Sequence, residues 1–292
     1  VTKILVIGAG GMLGADVMHA LAPHAPRGLT RTDLDIRNES DVSAAVEGFD
    51  VVVNTAAYTR VDDAESEREL AFAINAEGPR SIARAARQTQ ARLIHISTDY
   101  VFEGTASTPY AEDAPTNPLS VYGASKLAGE VAIQEEHGDF STILRTSWLY
   151  GEHGSSFPHT MLRLGLSHPT VSVVEDQIGQ PTWSMDVAQM VRSIAESSIS
   201  SGIFHATNSG STSWFLFARA LFERAGWDPE RVIATSSENF PRPAPRPAWS
   251  VLAHEQWSLA SVPVPRGWTE ALDEAWDSFM HAWVGETPHG KK

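Results

Sequence analysis

The chain opens with Ile4-Leu5-Val6-Ile7-Gly8-Ala9-Gly10-Gly11-Met12-Leu13-Gly14, an apolar run that breaks into glycines. Apolar residues then resume with helical spacing over 12–21, so the segment reads as strand, tight turn and helix. This is the first half of a βαβ unit, and it commits the N-terminal region to a layered α/β architecture. Glycines at 8, 10, 11 and 14 let the chain turn sharply, let backbone approach a pyrophosphate, and let the helix pack closely on the sheet. The helix N-terminus would then face the phosphates. A plain glycine-rich turn is the alternative, but its position between the first strand and the first helix weighs against it.

Short Val/Ile-rich runs recur at 50–54 and 92–97, separated by a predicted helix over 67–88, and a further run at 141–149 follows the helix that carries Lys126. Strands alternating with helices predict a Rossmann-like, doubly wound parallel sheet covered on both faces, with ligands at the carboxyl ends of the strands. Beyond it, 170–174 and 202–206 read as strands, and 185–197 and 213–225 as helices. Residues 241–247 hold four prolines in seven positions and predict an extended loop. The polar residues from about Gly285 are expected to fray.

Composition excludes several classes of function. The absence of cysteine rules out disulfides, thiolate catalysis and cysteine-ligated metal. A formal charge of −14 disfavours broad contact with nucleic acid. Apolar runs are too short to span a bilayer, and the first residues lack the pattern of a signal peptide, so no membrane association and a cytoplasmic location are expected. The eleven histidines show no ligand-like pair, and no metal site is expected.

Downstream, Tyr122 and Lys126 in V-Y-G-A-S-K-L stand four residues apart on one predicted helical face. There an ammonium can stabilise a phenolate and tune the tyrosine as a proton donor. Hydride addition to a ketone creates an alkoxide, which needs such a donor and groups that stabilise negative charge. Thr98, at the end of a predicted strand, can offer its hydroxyl to the same oxygen. Core packing or a capped turn is the alternative for a lone tyrosine or threonine.

The spacing Gly8-x-x-Gly11-x-x-Gly14 resembles that of the extended short-chain dehydrogenase/reductases. The ordered segments N-T-A-A-Y-T-R-V-D-D-A-E, I-N-A-E-G-P, H-I-S-T-D-Y-V-F-E-G, P-L-S-V-Y-G-A-S-K-L-A-G-E, L-R-T-S-W-L-Y-G, V-V-E-D-Q-I-G-Q-P-T and P-A-P-R-P-A-W-S-V-L resemble those of the dTDP-4-dehydrorhamnose reductase family. The resemblance covers most of the chain. It implies a dinucleotide-binding domain over 1–150 and about 184–208, interleaved with a smaller sugar-nucleotide domain over about 151–183 and 209–292. It implies NADPH-dependent reduction, with NADH possible, of the C4 ketone of a dTDP-linked 4-keto-6-deoxyhexose. Thr98, Tyr122 and Lys126 would be catalytic, with Lys126 also holding the cofactor ribose.

By the same resemblance the cofactor contacts are Gly8, Gly10, Gly11, Met12, Leu13, Gly14, Arg31, Asp35, Ile36, Ala56, Ala57, Asn75, Ser97, Tyr122 and Lys126. Asp35 and Ile36 would bracket adenine, and Asn75 would be a structural residue on the nicotinamide side. Ala56 and Ala57 line the adenosine or simply pack. Arg31 pairs with a 2′-phosphate or is solvated. Substrate contacts would be Thr98, Asp99, Tyr100, Tyr122, Trp148 and Arg246. Asp99 reads as a polar orienter or a strand-end cap, Tyr100 as a sugar-nucleotide contact or a packed tyrosine, and Trp148 as a sugar contact or a core aromatic. Arg246 balances a diphosphate or belongs to a rigid connector. Asp176, Gln177, Pro181 and Thr182 match a loop near the substrate domain.

Two departures matter. Related sugar-nucleotide dehydratases follow the threonine with Asp-Glu, whereas this chain has Thr98-Asp99-Tyr100, which argues against dehydration. Trp249 stands where relatives often have a small polar residue, which puts the nucleotide pocket in question there. A 4-epimerase and a non-catalytic dinucleotide-binding regulatory subunit are the alternatives, and monomer and homodimer both stay open.

Overall fold

The computed structural model describes residues 2–286. Strands β1 (Ile4–Ile7), β2 (Arg27–Leu29), β3 (Val51–Asn54), β4 (Arg92–Thr98) and β5 (Ser141–Thr146) join the strand Gly202–His205 in one six-stranded sheet. Every pairing is parallel, in the spatial order Gly202–His205, β5, β4, β3, β1, β2. The winding therefore reverses beside β1, between β2 and β3. A crevice opens at the carboxyl ends of the strands at such a switch point.

Helices α1 (Met12–Ala20), α2 (Glu39–Val46), α3 (Arg68–Phe72), α4 (Gly78–Thr89) and α5 (Val121–His137) flank the sheet. Alternate strand residues serve opposite cores because side chains alternate along a strand. Ile4 and Val6 pack with Val17 of α1 and with Val187, Val191 and Ile194 of the helix Ser184–Glu196. Leu5 and Ile7 pack with Val42 and Val46 of α2, Ile82 and Ala86 of α4 and Ile133 of α5. Burial on both faces is why β1 and β3 are continuous apolar runs rather than alternating ones.

A third core gathers Tyr150, Met161, Val171, Phe217, Leu221, Phe222, Val232 and Leu272. Its walls are the helices Phe157–Ser167, Trp214–Arg224 and Trp268–Glu286 and the parallel pair Val171–Val174 with Val232–Thr235. No helix among the described residues is long and apolar enough to cross a membrane.

The glycine turn has the expected geometry. Gly8 sits at φ +89°, where a side chain would be strained, and a Cβ on Gly14 would fall 2.1 Å from the Gly8 carbonyl oxygen. Close approach of α1 to the end of β1 therefore needs glycine at both positions.

Two predicted elements are corrected. The single helix expected over 67–88 is two helices, α3 and α4, joined by a π-helical turn at Ala73–Glu77. Wide turns of this kind re-aim side chains, and here Asn75 is fully buried. The strand expected over 141–149 ends at Thr146, because Trp148 adopts φ +45°, which a strand does not permit. Leu149–Tyr150 then pairs separately with Thr182–Trp183. Residues 241–247 form neither helix nor strand, as expected. Gly285 and Glu286, where fraying was expected to start, still belong to the last helix, and the rest of that expectation lies outside the described residues.

Candidate active site

Ser120 starts α5 by accepting a hydrogen bond from the Gly123 N–H at 3.1 Å, which places Tyr122 in the first helical turn. β4 delivers Thr98 to the same place. The Thr98 hydroxyl donates to Asp99 Oδ1 at 2.9 Å and accepts from the Tyr100 N–H at 3.2 Å. The Tyr100 and Tyr122 rings meet edge to face, with centroids 5.5 Å apart. Thr98, Asp99, Tyr122 and Lys126 are all buried.

Burial pushes the Tyr122 phenol up to about 12, a hydrogen bond with the Thr98 side chain pulls it partly back, and Asp99 raises it further. The Thr98 hydroxyl thus acts on the Tyr122 phenol, which is protonated at neutral pH. Burial likewise raises the Asp99 carboxyl to about 7, against the pull of the Thr98 and Ser250 hydroxyls. The direction of the Thr98 hydrogen bond follows from this. An ionised Asp99 accepts the hydrogen bond from the Thr98 hydroxyl, whereas a protonated Asp99 can donate and leave the threonine hydroxyl free for a ligand.

Lys126 differs from expectation. Its ammonium is not among the groups that move the Tyr122 phenol; Nζ instead donates to the Ile96 carbonyl at 2.6 Å and lies 3.4 Å from His95 Nε2. Burial lowers the Lys126 amine to about 8, with Glu130 acting in the opposite sense. One turn further along α5, Glu130 forms a buried ion pair with Arg145 of β5, at 2.7 Å. Arg145 also donates to the Glu112 carbonyl, so its planar fork ties α5 and β5 to the loop at 112.

On the opposite side of the crevice, α1 begins at Gly11 with no side-chain cap and no acidic residue in its first turn. The first N–H groups of a helix have no intrahelical partner, so this end suits a phosphate. Gly10 and Gly11 are exposed and Met12 is half-buried, whereas Leu13 points into the core, which leaves its backbone rather than its side chain for a ligand. Ala56 and Ala57 are half-buried. These residues fit a dinucleotide pyrophosphate.

The remaining cofactor candidates separate. Arg31 is exposed. Asp35 is exposed and gripped by Arg37 at 2.6 Å, whose hydrogen bonds hold its carboxyl at about 2. Ile36 is buried in the core beneath α2 and α4. Asn75 has a bracing role: it accepts from the Tyr58 N–H and donates to the Tyr58 carbonyl and to Ser125 Oγ, and Ser125 donates onward to the Tyr122 carbonyl. The loop after β3 is thereby tied to the catalytic helix. The buried Ser97 hydroxyl has no hydrogen-bond partner among the described residues.

Trp148 turns out of the sheet and stacks on Trp214, with centroids 3.5 Å apart and planes 10° from parallel. Its indole presses on Gly179, where a Cβ would approach within 2.4 Å. Arg246 is already engaged: it pairs with Asp62 at 2.9 Å and donates to the Ala244 carbonyl. Its charge nonetheless acts on the Tyr100 phenol, in the sense opposite to burial. Asp176 is taken up by the Ser237 N–H and hydroxyl, Gln177 is half-buried, Pro181 is buried, and Thr182 donates to the Gln180 carbonyl. Asp176 and Thr182 thus brace the loop at 176–182. The unexpected Trp249 is accommodated by donating to the Thr108 carbonyl and packing beside Val101, Phe102 and Tyr110.

Sequence reasoning missed Trp214 and Asp62. Asp62 stood inside one of the matched segments, but nothing local marked it as the partner of Arg246. Nothing local marked Trp214 as the partner of a residue 66 positions earlier.

The family described as RmlD substrate binding domain matches residues 2–281. The chain belongs to the dTDP-4-dehydrorhamnose reductase family. A dTDP-4-dehydrorhamnose reductase of Streptomyces griseus is 45% identical over 283 residues, covering 94% of this chain and 93% of that protein. A dTDP-4-keto-6-deoxy-D-glucose reductase of Streptomyces niveus is 42% identical, with 93% and 95% covered. Among solved structures, dTDP-4-dehydrorhamnose reductase of Bacillus anthracis in complex with NADP superposes with a TM-score of 0.90 at 38% identity, covering 94% of this chain and 99% of that one. A dTDP-glucose 4,6-dehydratase of Streptomyces venezuelae, at 16% identity and a TM-score of 0.80, shares the fold alone. In this family member Thr98 is followed by Asp99-Tyr100, without the glutamate expected of a dehydratase.

Proposed function

We propose that the protein reduces the C4 ketone of a dTDP-linked 4-keto-6-deoxyhexose, dTDP-4-dehydrorhamnose or a related deoxysugar, with NADPH. The observation that carries this reading is a buried, protonated Tyr122 on which the Thr98 hydroxyl, at the carboxyl end of β4, acts. That position is next to the crevice at which α1 presents an uncapped N-terminus. The reductase names of relatives above 40% identity and the NADP held by the Bacillus anthracis relative support it.

The bound cofactor supplies a hydride to C4. Tyr122 gives its phenolic proton to the oxygen that becomes the alkoxide, and its high affinity for that proton keeps it loaded at neutral pH. Thr98 holds the same oxygen when Asp99 is protonated. The glycine turn, with Met12, the Leu13 backbone, Ala56, Ala57 and Ser97, carries the dinucleotide. Asp35, Ile36 and Asn75 shape its pocket from behind. Lys126 holds the ribose, and Arg31 favours NADPH over NADH.

Trp148, half-buried with Trp214 and Gly179 against its ring, offers the rim of its indole to the deoxy sugar, and Tyr100 and Arg246 act on the nucleotide side. We assign residues 1–150 and about 184–208 to the cofactor and about 151–183 and 209–292 to the sugar nucleotide. A simple reduction needs no further acid–base pair, in keeping with Tyr100 where a dehydratase has glutamate.

The test is to incubate the protein with dTDP-4-keto-6-deoxyglucose, alone and with a 3,5-epimerase, plus NADPH. Absorbance loss and the product's C4 stereochemistry are then followed. Tyr122→Phe should retain cofactor binding and lose about 10²–10⁴-fold in turnover. A product epimerised at C4 without net NADPH consumption would instead assign a 4-epimerase, and binding without turnover a regulatory subunit.

A further inference from the structure

Asn54 and His95 are directly paired across β3 and β4, at the carboxyl end of the sheet and beneath Lys126. The Ala56 N–H donates to Asn54 Oδ1 at 3.1 Å, which fixes the end of the carboxamide that faces it. The other end, Nδ2, lies 3.0 Å from His95 Nδ1. A carboxamide nitrogen can only donate, so Nδ1 accepts and the neutral ring carries its proton on Nε2. That nitrogen is 3.4 Å from Lys126 Nζ. An ammonium has three donors and no acceptor, so an N–H facing it finds a partner only when the lysine is an amine.

We infer that His95, held by Asn54 in the Nε2–H tautomer, is a positioning residue that presents a donor to the Lys126 amino group and so opposes its ammonium form. Complete burial and the charge of Lys126 disfavour the imidazolium, so the ring stays neutral. The groups facing Lys126 are His95 and the Ile96 carbonyl from β4, with Tyr122 one turn before it and Glu130 one turn after it on α5. Glu130 favours the ammonium, but both of its oxygens are occupied by Arg145. The Ile96 carbonyl accepts from either form of the lysine. Glu130 and His95 therefore act on the lysine in opposite senses, and His95 is the one within reach of Nζ.

This inference deepens the proposed reaction and rests on Lys126 holding the cofactor ribose as an ammonium. It makes that ammonium easier to lose, so the upper pH limit of the reaction is set in part by a histidine that touches neither substrate nor cofactor.

The test uses the full chain. Long-range ¹H–¹⁵N spectra of uniformly labelled protein read the histidine tautomers directly. His95 is assigned by the signal that disappears in His95→Leu or, if that variant does not fold, by the one that changes in the nearly isosteric Asn54→Asp. A carboxylate at 54 accepts from Nδ1–H and reverses the tautomer. The wild type should show His95 as Nε2–H at neutral pH; an Nδ1–H or imidazolium signal overturns the inference.

The alkaline limb of kcat/KM should move upward by about half a pH unit or more in both variants. A limb unmoved in both also overturns it. Lys126→Met separates the two readings: if it leaves the alkaline limb in place, the assigned role of Lys126 fails, while the spectra still judge the tautomer.

Discussion

Trp148 and Trp214 lie face to face at 3.5 Å, joining the turn that follows β5 to the first turn of the helix Trp214–Arg224. Ser213 caps that helix by accepting from the Leu216 N–H, and the short antiparallel pair of Ile178–Gly179 with Thr212–Ser213 sets Gly179 under the Trp148 ring. The plane of Trp148 is thus held from both sides, in a left-handed backbone conformation that an isolated chain would seldom adopt.

If Trp148 reads the sugar, Trp214 governs affinity rather than chemistry. Aromatic pairs contribute about 0.5–1.5 kcal/mol beyond their burial. Trp214→Ala should therefore raise KM for the sugar nucleotide by about two- to tenfold. The value of kcat and the affinity for NADPH should stay near wild type, and Trp214→Phe should restore most of the loss. Initial-rate kinetics with each substrate varied check this, and a loss confined to kcat would contradict it.

The glycine turn yields a prediction about the cofactor. A methyl group on Gly14 would fall 2.1 Å from the Gly8 carbonyl oxygen, a contact that only backbone movement can relieve. Gly14→Ala should cost about 1–3 kcal/mol of stability, as overpacking does. It should also weaken NADPH binding, because the displaced backbone is the proposed phosphate cradle. Fluorescence titration with NADPH alongside urea unfolding measures both effects. A variant with wild-type affinity would remove the turn from the proposed site.

The layered fold was legible because β1, β3 and β4 are buried on both faces and separated by helical periodicity, and local pattern carries that information. Tyr122, Lys126 and Thr98 were legible because helix spacing and a strand end place them without any knowledge of distant contacts. What escaped depends on partners far away in the chain. Arg246 is met by Asp62, 184 positions earlier, and Trp148 by Trp214. The π turn at Ala73–Glu77 also escaped, since the sequence over 67–88 has helical apolar spacing throughout and only Gly78-Pro79 hints at an interruption.

The Glu130–Arg145 pair predicts a stability effect at some remove from the reacting atoms. Both side chains are almost wholly buried, and the arginine also satisfies the Glu112 carbonyl and lies over the Phe102 ring. Removing one partner leaves an uncompensated charge, which typically costs about 3–5 kcal/mol. Glu130→Gln should show a loss of that order in urea unfolding. Replacing both residues with apolar ones of similar size should recover much of it, since the pair's own desolvation is then avoided too.

Asp99 predicts how stability varies with pH. Its carboxyl titrates at about 7 in the folded chain, against an ordinary value of 3.8. Between those values the folded state binds more protons than the unfolded state, so stability falls as pH rises through this window and is flat on either side of it. One pH unit of difference corresponds to about 1.4 kcal/mol, so the change from pH 5 to pH 8 amounts to about 2–3 kcal/mol. Asp99→Asn keeps the shape of the side chain and removes the titration. Relative to wild type, the variant should gain about that much stability between pH 5 and pH 8, as measured by urea unfolding at the two values. An equal difference at both would mean that Asp99 is already ionised at pH 5. Thr98 would then donate permanently to Asp99, and the alkoxide would have to be met by Tyr122 alone.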